Sequence, residues 1–361
     1  MSSLLQDSFR YSFPVIRGIQ SGREYYITMV PLRVVPSLFL FNDQSLPPEM
    51  RAQRLLNKSR VPSITKYLLE NSENYIFSSL TASIDRVVDF QPIPENDSSS
   101  KIGTITIPDG TRIVINDGQH RRAAIIDAIQ QNPKLAYETI SVVFYIDTGL
   151  ERSQQMFADL NRHAAKPSGS LNILYDHRDN FSKFVLNMIN DIPIFTDTID
   201  YEKTSISNRS SKLFTLSSIY RANKTLLGSA TLTEDEMRTT AIEFWNEITS
   251  NMKPWQEYLR GKAAYKLRQE TIAVHDISLQ AMAILGSTLL TSNSKNWKEK
   301  VKTLQQIDWS RDNPEWDQRA LFSGRLRKSY SNVVLTSNLL KIKTNIPLTP
   351  KEQEYESRIS G

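Results

Sequence analysis

The chain of 361 residues contains no cysteine. That absence excludes disulfides, thiolate nucleophiles and thiolate-built zinc or iron–sulfur centres together. It also gives no sign of an oxidising compartment. Histidine is scarce: the four, at positions 120, 163, 177 and 275, show neither H-x-H nor H-E-x-x-H spacing. No metal site is therefore expected. Neither a G-x-x-x-x-G-K-[ST] phosphate loop nor a G-x-S-x-G nucleophile turn is present, which removes a Walker-type cradle and a hydrolase elbow. Long apolar runs are missing too. The most apolar stretch, Leu279 to Leu290, includes Gln280, Gly286, Ser287 and Thr288 and is too short and too polar to span a bilayer. Met1 to Asp7 show no basic segment leading into an apolar core, so a signal peptide is not expected. A cytoplasmic protein without membrane contact is the expectation.

The remaining composition, 39% hydrophobic and 23% charged, is that of a globular chain long enough for two domains. The net charge of +5 is too small to demand a polyanionic partner, so local clustering must decide. Up to residue 150 the pattern is mostly of strands: Phe13–Ile19, Tyr25–Phe41 and an extended stretch from Tyr75 to Phe90. Between them Met50–Glu70 has helical spacing. Thr104–Ile107 and Arg112–Ile115 flank Asp109-Gly110 and predict a β-hairpin. Ile140–Ile146 reads as a last strand, followed by a helix over 150–162. Beyond residue 170 amphipathic helical patterns take over: 171–189, 213–227, 234–258, 263–290 and 297–307. Thr233 with Glu236 predicts a capping box. The expected architecture is α+β, with a mixed α/β domain over 1–170 and a largely helical domain over 171–361.

The most informative stretch is Ile115-Asn-Asp-Gly-Gln-His-Arg-Arg-Ala-Ala-Ile-Ile126. It joins an apolar strand to a helix through a turn crowded with Asp117, Gly118, Gln119, His120, Arg121 and Arg122. A helix start presents unpaired N–H groups and partial positive charge, so a histidine and two arginines there suit a phosphate. Gly118 would let the backbone approach the ligand closely. Asp117 also has a simpler reading, as the helix N-cap.

Two further features stand out. Phe157-Ala-Asp-Leu-Asn-Arg-His-Ala-Ala-Lys166 is either an ordinary helix end with a surface ion pair or a second polar box, if the fold brings Asn161 and Lys166 to the Asp117–Arg122 turn. Two windows, Lys203–Thr233 and Gln318–Lys351, carry cations and no Asp or Glu. They include Arg209 and Lys212 in the first, and Arg325, Arg327 and Lys328 in the second, with many Ser, Thr and Asn. Either acids elsewhere match these faces, or they contact a nucleic-acid backbone. His275-Asp276, within an apolar helical pattern, reads as a hydrogen-bonded core or interface histidine.

The Asp117-Gly-Gln-His-Arg121 run is the five-residue signature of the DGQHR-domain proteins. Phe157-Ala-Asp-Leu-Asn161 with Lys166-Pro167 resembles that group's second box. Ser210-Ser-Lys-Leu-Phe-Thr-Leu-Ser-Ser-Ile-Tyr220 is similar to its DndB branch. The likeness covers nearly the whole chain. It implies a DNA-binding repressor of the gene cluster that replaces a non-bridging phosphate oxygen of DNA by sulfur. Its partners would be double-stranded DNA, other DNA sulfur modification proteins and, for a palindromic operator, a second copy of the chain. The domain also resembles the ParB and sulfiredoxin group, whose glycine turn holds nucleotide phosphates. Sulfiredoxin chemistry is excluded here, because Gln119 stands where that reaction needs cysteine. A ParB-like reading remains: a nucleoside triphosphatase, or a nuclease, using ATP or CTP with Mg²⁺. In that reading Gly118, Gln119, Arg121, Arg122, Asn161 and Lys166 would bind phosphate. Asp117, His120 and Arg121 would be catalytic. A non-enzymatic scaffold for modification proteins is the third reading.

Overall fold

The computed structural model describes residues 11–39, 56–94, 100–108, 110–146, 155–156, 158–160, 167–228, 232–292 and 296–359. The chain divides into two compact units, 1–165 and 166–361.

The first unit is built on a seven-stranded sheet. Its strands are β1 (Tyr11–Gln20), β2 (Arg23–Pro31), β3 (Leu80–Ile84), β4 (Asp89–Pro92), β5 (Ile102–Ile107), β6 (Ile113–Asp117) and β7 (Thr139–Ile146), in the order β4-β5-β1-β2-β7-β3-β6. Pairing is antiparallel except between β3 and β7. Alternation sets the faces: along β5 Gly103, Ile105 and Ile107 are buried, and along β7 Ile140, Val142 and Phe144. Ile105, Ile107, Ile140, Val142 and Phe144, with Leu80, Ala82 and Ile84 of β3, form one core cluster. The helices α1 (Val35–Leu38), α2 (Val61–Glu70) and α3 (Gln119–Gln131) add Val35, Leu38, Leu68, Ala124, Ile125 and Ala128 to it.

Two expectations fail here. Residues 104–107 and 113–115 are both strands but not a hairpin, since β5 pairs with β1 and β4, and β6 with β3. The link from Ile107 to Ile113 reaches at most about 21 Å, against roughly 24 Å for five strand spacings in a flat sheet. The sheet is therefore curled. The rings of Tyr26 on β2 and Phe90 on β4 meet at 5.7 Å across that curvature. The strand expected over 25–41 ends at Pro31, where a 3-10 turn over Leu32–Val34 leads into α1 with Pro36 in its first turn. In the 50–70 stretch the α-helix begins at Val61, after a 3-10 turn over Lys58–Arg60; positions 50–55 lie outside the described residues.

The second unit is helical. Its helices are α4 (Gly169–Tyr175), α5 (Asn180–Met188), α6 (Leu216–Leu227), α7 (Glu234–Asn251), α8 (Lys253–Leu259), α9 (Ala264–Glu270), α10 (Asp276–Thr291), α11 (Trp297–Lys302), α12 (Tyr330–Lys343) and α13 (Pro350–Ser357). Two minimal sheets, β8 (Ile199–Asp200) with β9 (Phe214–Thr215) and β10 (Leu321–Phe322) with β11 (Arg325–Leu326), complete it. Helix α10 is apolar nearly all round and is the hub. Ile277, Leu279, Ala281, Met282, Ala283, Leu285 and Leu289 are buried in it. Gly286 lets the helix approach its neighbours, because a Cβ there would lie 2.5 Å from both Leu226 and Phe244. Beside it Phe195, Phe214, Trp245 and Trp255 pack largely edge-on. The Trp245 Nε1–H donates at 2.9 Å to buried Asn223.

The long helical patterns are interrupted where local chemistry favours a break. Asp179 caps α5 by accepting from the N–H groups of Phe181 and Ser182, which splits 171–189. Pro254 in the first turn of α8 splits 234–258. The 263–290 pattern breaks over Thr271–His275, where Thr271 Oγ1 donates to the Trp309 carbonyl at 2.7 Å. The Thr233–Glu236 capping box forms as expected. No helix among the described residues is long and apolar enough to cross a membrane.

Candidate functional site

In the first unit, β6 delivers the signature turn. A β-bulge lies opposite Thr81 and Ala82, which pair with Asp117 and Ile115 and leave Asn116 as the extra residue. Asn116 is buried, and its Oδ1 accepts from Ser83 Oγ at 2.8 Å. That bond fixes the bulge and sends the next residues out of the sheet. Gly118 then adopts φ +103°, and a Cβ there would sit 2.4 Å from Leu80 Cδ2. Both the conformation and the space call for glycine.

Helix α3 begins immediately, with Gly118 in the N-cap position and no side-chain cap. The cap reading of Asp117 is thus corrected. Its carboxylate instead meets Arg121 Nη2 at 2.6 Å, one turn along, while Arg121 Nη1 donates to Ser78 Oγ. Arg121 is thereby committed to holding the turn against the chain entering β3. Arg122 differs. It makes no ion pair with a described residue, and burial lowers its pKa. The Nε atoms of both arginines are buried without a described partner. His120 Nε2 accepts the Asn57 N–H at 3.2 Å. Gln119 opens the helix beside it.

The structure thus gathers Asp117, Gly118, Gln119, His120, Arg121 and Arg122 at one helix start. Phe157, Asn161 and Lys166 lie outside the described residues. The segment's start does reach the bulge, since Met156 Sδ is 3.9 Å from Ser83 Oγ. Ser78, Ser83 and Asn57 escaped sequence reading, because isolated serines and asparagines carry no pattern. Among the described residues no group of His, Asp or Glu is placed to hold a metal.

In the second unit, acids elsewhere match many of the window cations. Arg319 pairs with Glu356 at 2.6 Å, Lys341 with Glu352 at 2.5 Å, Lys343 with Glu315 at 2.5 Å and Arg221 with Asp276 at 3.0 Å. Lys212 is half-buried, and its Nζ donates to the Asp197 carbonyl at 2.8 Å. Arg209, Arg325, Arg327 and Lys328 are exposed and make no ion pair with a described residue. The last three sit on or just after the β10–β11 hairpin. Its two turn residues, Ser323 and Gly324, have φ +48° and +72°, the left-handed pair that a tight hairpin requires. The Arg327 guanidinium stacks over Phe322 at 5.3 Å. Arg311 Nη2 donates to the Gly324 carbonyl at 3.0 Å and adds a cation that the acid-free criterion missed, because Asp308 and Asp312 flank it in sequence.

The molecule is thus an α+β protein that carries a glycine turn at a helix start in one unit and an acid-free basic hairpin in the other. The chain matches the model of the DndB family, described as DNA-sulfur modification-associated, over residues 13–347, and it belongs to that family. That membership indicates involvement in DNA sulfur modification. Neither the curated proteins nor the solved structures include a significant match.

Proposed function

We propose that the protein is a DNA-binding regulator that represses the DNA sulfur modification gene cluster, contacting the duplex backbone through Arg325, Arg327 and Lys328. The observation that carries this reading is selective neutralisation. Arg319, Lys341 and Lys343 of the same window have carboxylate partners, whereas Arg325, Arg327 and Lys328 are exposed without a described one. Exposed cations without a described acidic partner are what phosphate contact needs. Arg311, bonded to the Gly324 carbonyl, extends the basic surface; Arg209 is exposed in the same unit, and Lys212, committed to a carbonyl, contributes less. A reporter driven by the cluster's promoter tests the proposal. The wild-type protein represses it, and the Arg325→Gln/Arg327→Gln variant at equal abundance releases it. Equal repression by both would refute the assignment.

One observation favours a second activity in the other unit. The start of α3 without a side-chain cap, the left-handed Gly118 and the partly buried Arg122, which has no ion-pair partner among the described residues, suit a nucleotide phosphate. In that ParB-like reading ATP or CTP with Mg²⁺ is the ligand, Arg122 meets its phosphates, and Arg121 positions the turn through Asp117.

A further inference from the structure

The second unit holds a small, partly open polar cavity of about 40 Å³, room for roughly three water-sized volumes. It is the size of an inorganic oxyanion and far below that of a nucleotide. Two helices of at least three turns begin on its wall. Thr215, the N-cap of α6, and His275, the N-cap of α10, both line it. Their helix starts direct partial positive charge inward.

The decisive residue is Arg268, which also lines the cavity. It is 3% exposed, has no carboxylate partner among the described residues, and its Nε lacks a hydrogen-bond partner. The bond it makes runs from Nη2 to the Lys212 carbonyl. Burial lowers its pKa to about 10. A buried cation without a counter-charge is costly, and an anion in this cavity would supply one. Lys328 adds a second cation, and Thr204, Ser205 and Ser218 supply hydroxyls. The one lining acid, Asp276, already accepts from Arg221 at 3.0 and 3.2 Å and from Gln280 at 3.2 Å. The surrounding field is positive enough to act on His275. Its imidazole is held near a pKa of about 4, first by burial and further by Arg268, Arg311 and Lys328.

We propose that this cavity is a binding site for a tetrahedral phosphoryl oxyanion, held by Arg268 and Lys328 with the Thr204, Ser205 and Ser218 hydroxyls at the starts of α6 and α10. Neither the family membership nor the hairpin reading assigns it. A larger cavity of about 370 Å³ shares Lys328 and Asp276 with the small one and is bordered by Tyr330 and Tyr355. The phosphoryl group therefore comes either from free phosphate or from a phosphate ester whose remainder occupies the larger space.

Isothermal titration calorimetry of the full chain with inorganic phosphate, without DNA, tests the site independently of the repressor reading. Saturable one-site binding is expected. Arg268→Gln should weaken it about ten- to hundred-fold, the range for losing a charged hydrogen bond. Ser205→Asp, at an exposed position, should abolish it by placing a carboxylate at the cavity. AMP tested against adenosine separates the sources. Tighter binding of AMP than of phosphate assigns an ester, and weaker or equal binding assigns the free anion. Absence of phosphate binding to the wild-type chain, or unchanged affinity in folded Ser205→Asp, overturns the proposal.

Discussion

Replacing Arg325 and Arg327 by glutamine should change not only how tightly the protein holds DNA but how that affinity depends on salt. Both side chains are exposed and lack an acidic partner among the described residues, so in the bound state their charge is available to phosphate. Each phosphate neutralised contributes about 0.9 to the slope of log K against log salt concentration, so losing two contacts lowers the slope by about 1.8. Between about 50 and about 200 mM salt, that difference compounds to roughly tenfold in relative affinity. The wild-type advantage should therefore be largest at low salt and shrink by that factor across the range. Fluorescence anisotropy of a labelled duplex, titrated at several salt concentrations, reads both quantities. Lys343→Gln is the control. That cation is paired with Glu315 at 2.5 Å, and its loss should leave the slope unaltered. Equal slopes for wild type and double variant would remove the hairpin from the DNA surface, however the absolute affinities compare.

Three other perturbations follow from the geometry. Gly118→Ala forces a side chain into φ +103° and against Leu80. It should destabilise the first unit by about 2–4 kcal/mol in urea unfolding, from left-handed backbone strain and overpacking, and unchanged stability would contradict the turn described. Arg121→Ala breaks the contacts to Asp117 and Ser78 and should lower the melting temperature, whereas Arg122→Ala should leave it nearly unaltered and weaken nucleotide binding; the opposite pattern would exchange their roles. His275 is neutral in the fold, with its pKa pushed down to about 4 against 6.5 when unfolded. Between those values the unfolded chain binds the extra proton, so the contribution is complete above the unfolded value and is lost as pH falls. Unfolding free energy should drop by about 2 kcal/mol between about pH 7 and about pH 5 from this residue alone, and His275→Gln should flatten that drop.

How much was legible in the sequence depended on whether the signal was local. Alternation in Ile102–Ile107 and Thr139–Ile146 and the Thr233–Glu236 box are short-range, and they read correctly. The hairpin expected around Asp109-Gly110 failed because strand partners are chosen by burial across the whole sheet, and the curl lets a short link join non-neighbouring strands. The long helical patterns hid their breaks, since Thr271–Val274 is buried and mostly apolar like the start of α10 that follows it. His275 therefore proved to be an N-cap rather than a mid-helix residue, although its hydrogen bond to the Arg268 carbonyl at 3.1 Å is as expected. The turn at Asp117–Arg122 was visible as a crowd of polar residues. Which arginine is committed was not, because that depends on Ser78, distant in sequence. Arg268 gave no sign at all: an arginine beside Gln269 and Glu270 looks like a surface residue until the fold buries it.

Recognition of its own cluster's regulatory DNA, as proposed above, is decided by one comparison. Affinity is measured for a duplex from upstream of the modification genes and for an unrelated duplex of equal length, at matched salt, with and without ATP or CTP and Mg²⁺. A repressor of the cluster should clearly prefer the upstream duplex without nucleotide. Equal affinity for both, together with release of inorganic phosphate from the nucleotide, would contradict it and make the Asp117–Arg122 turn the working site.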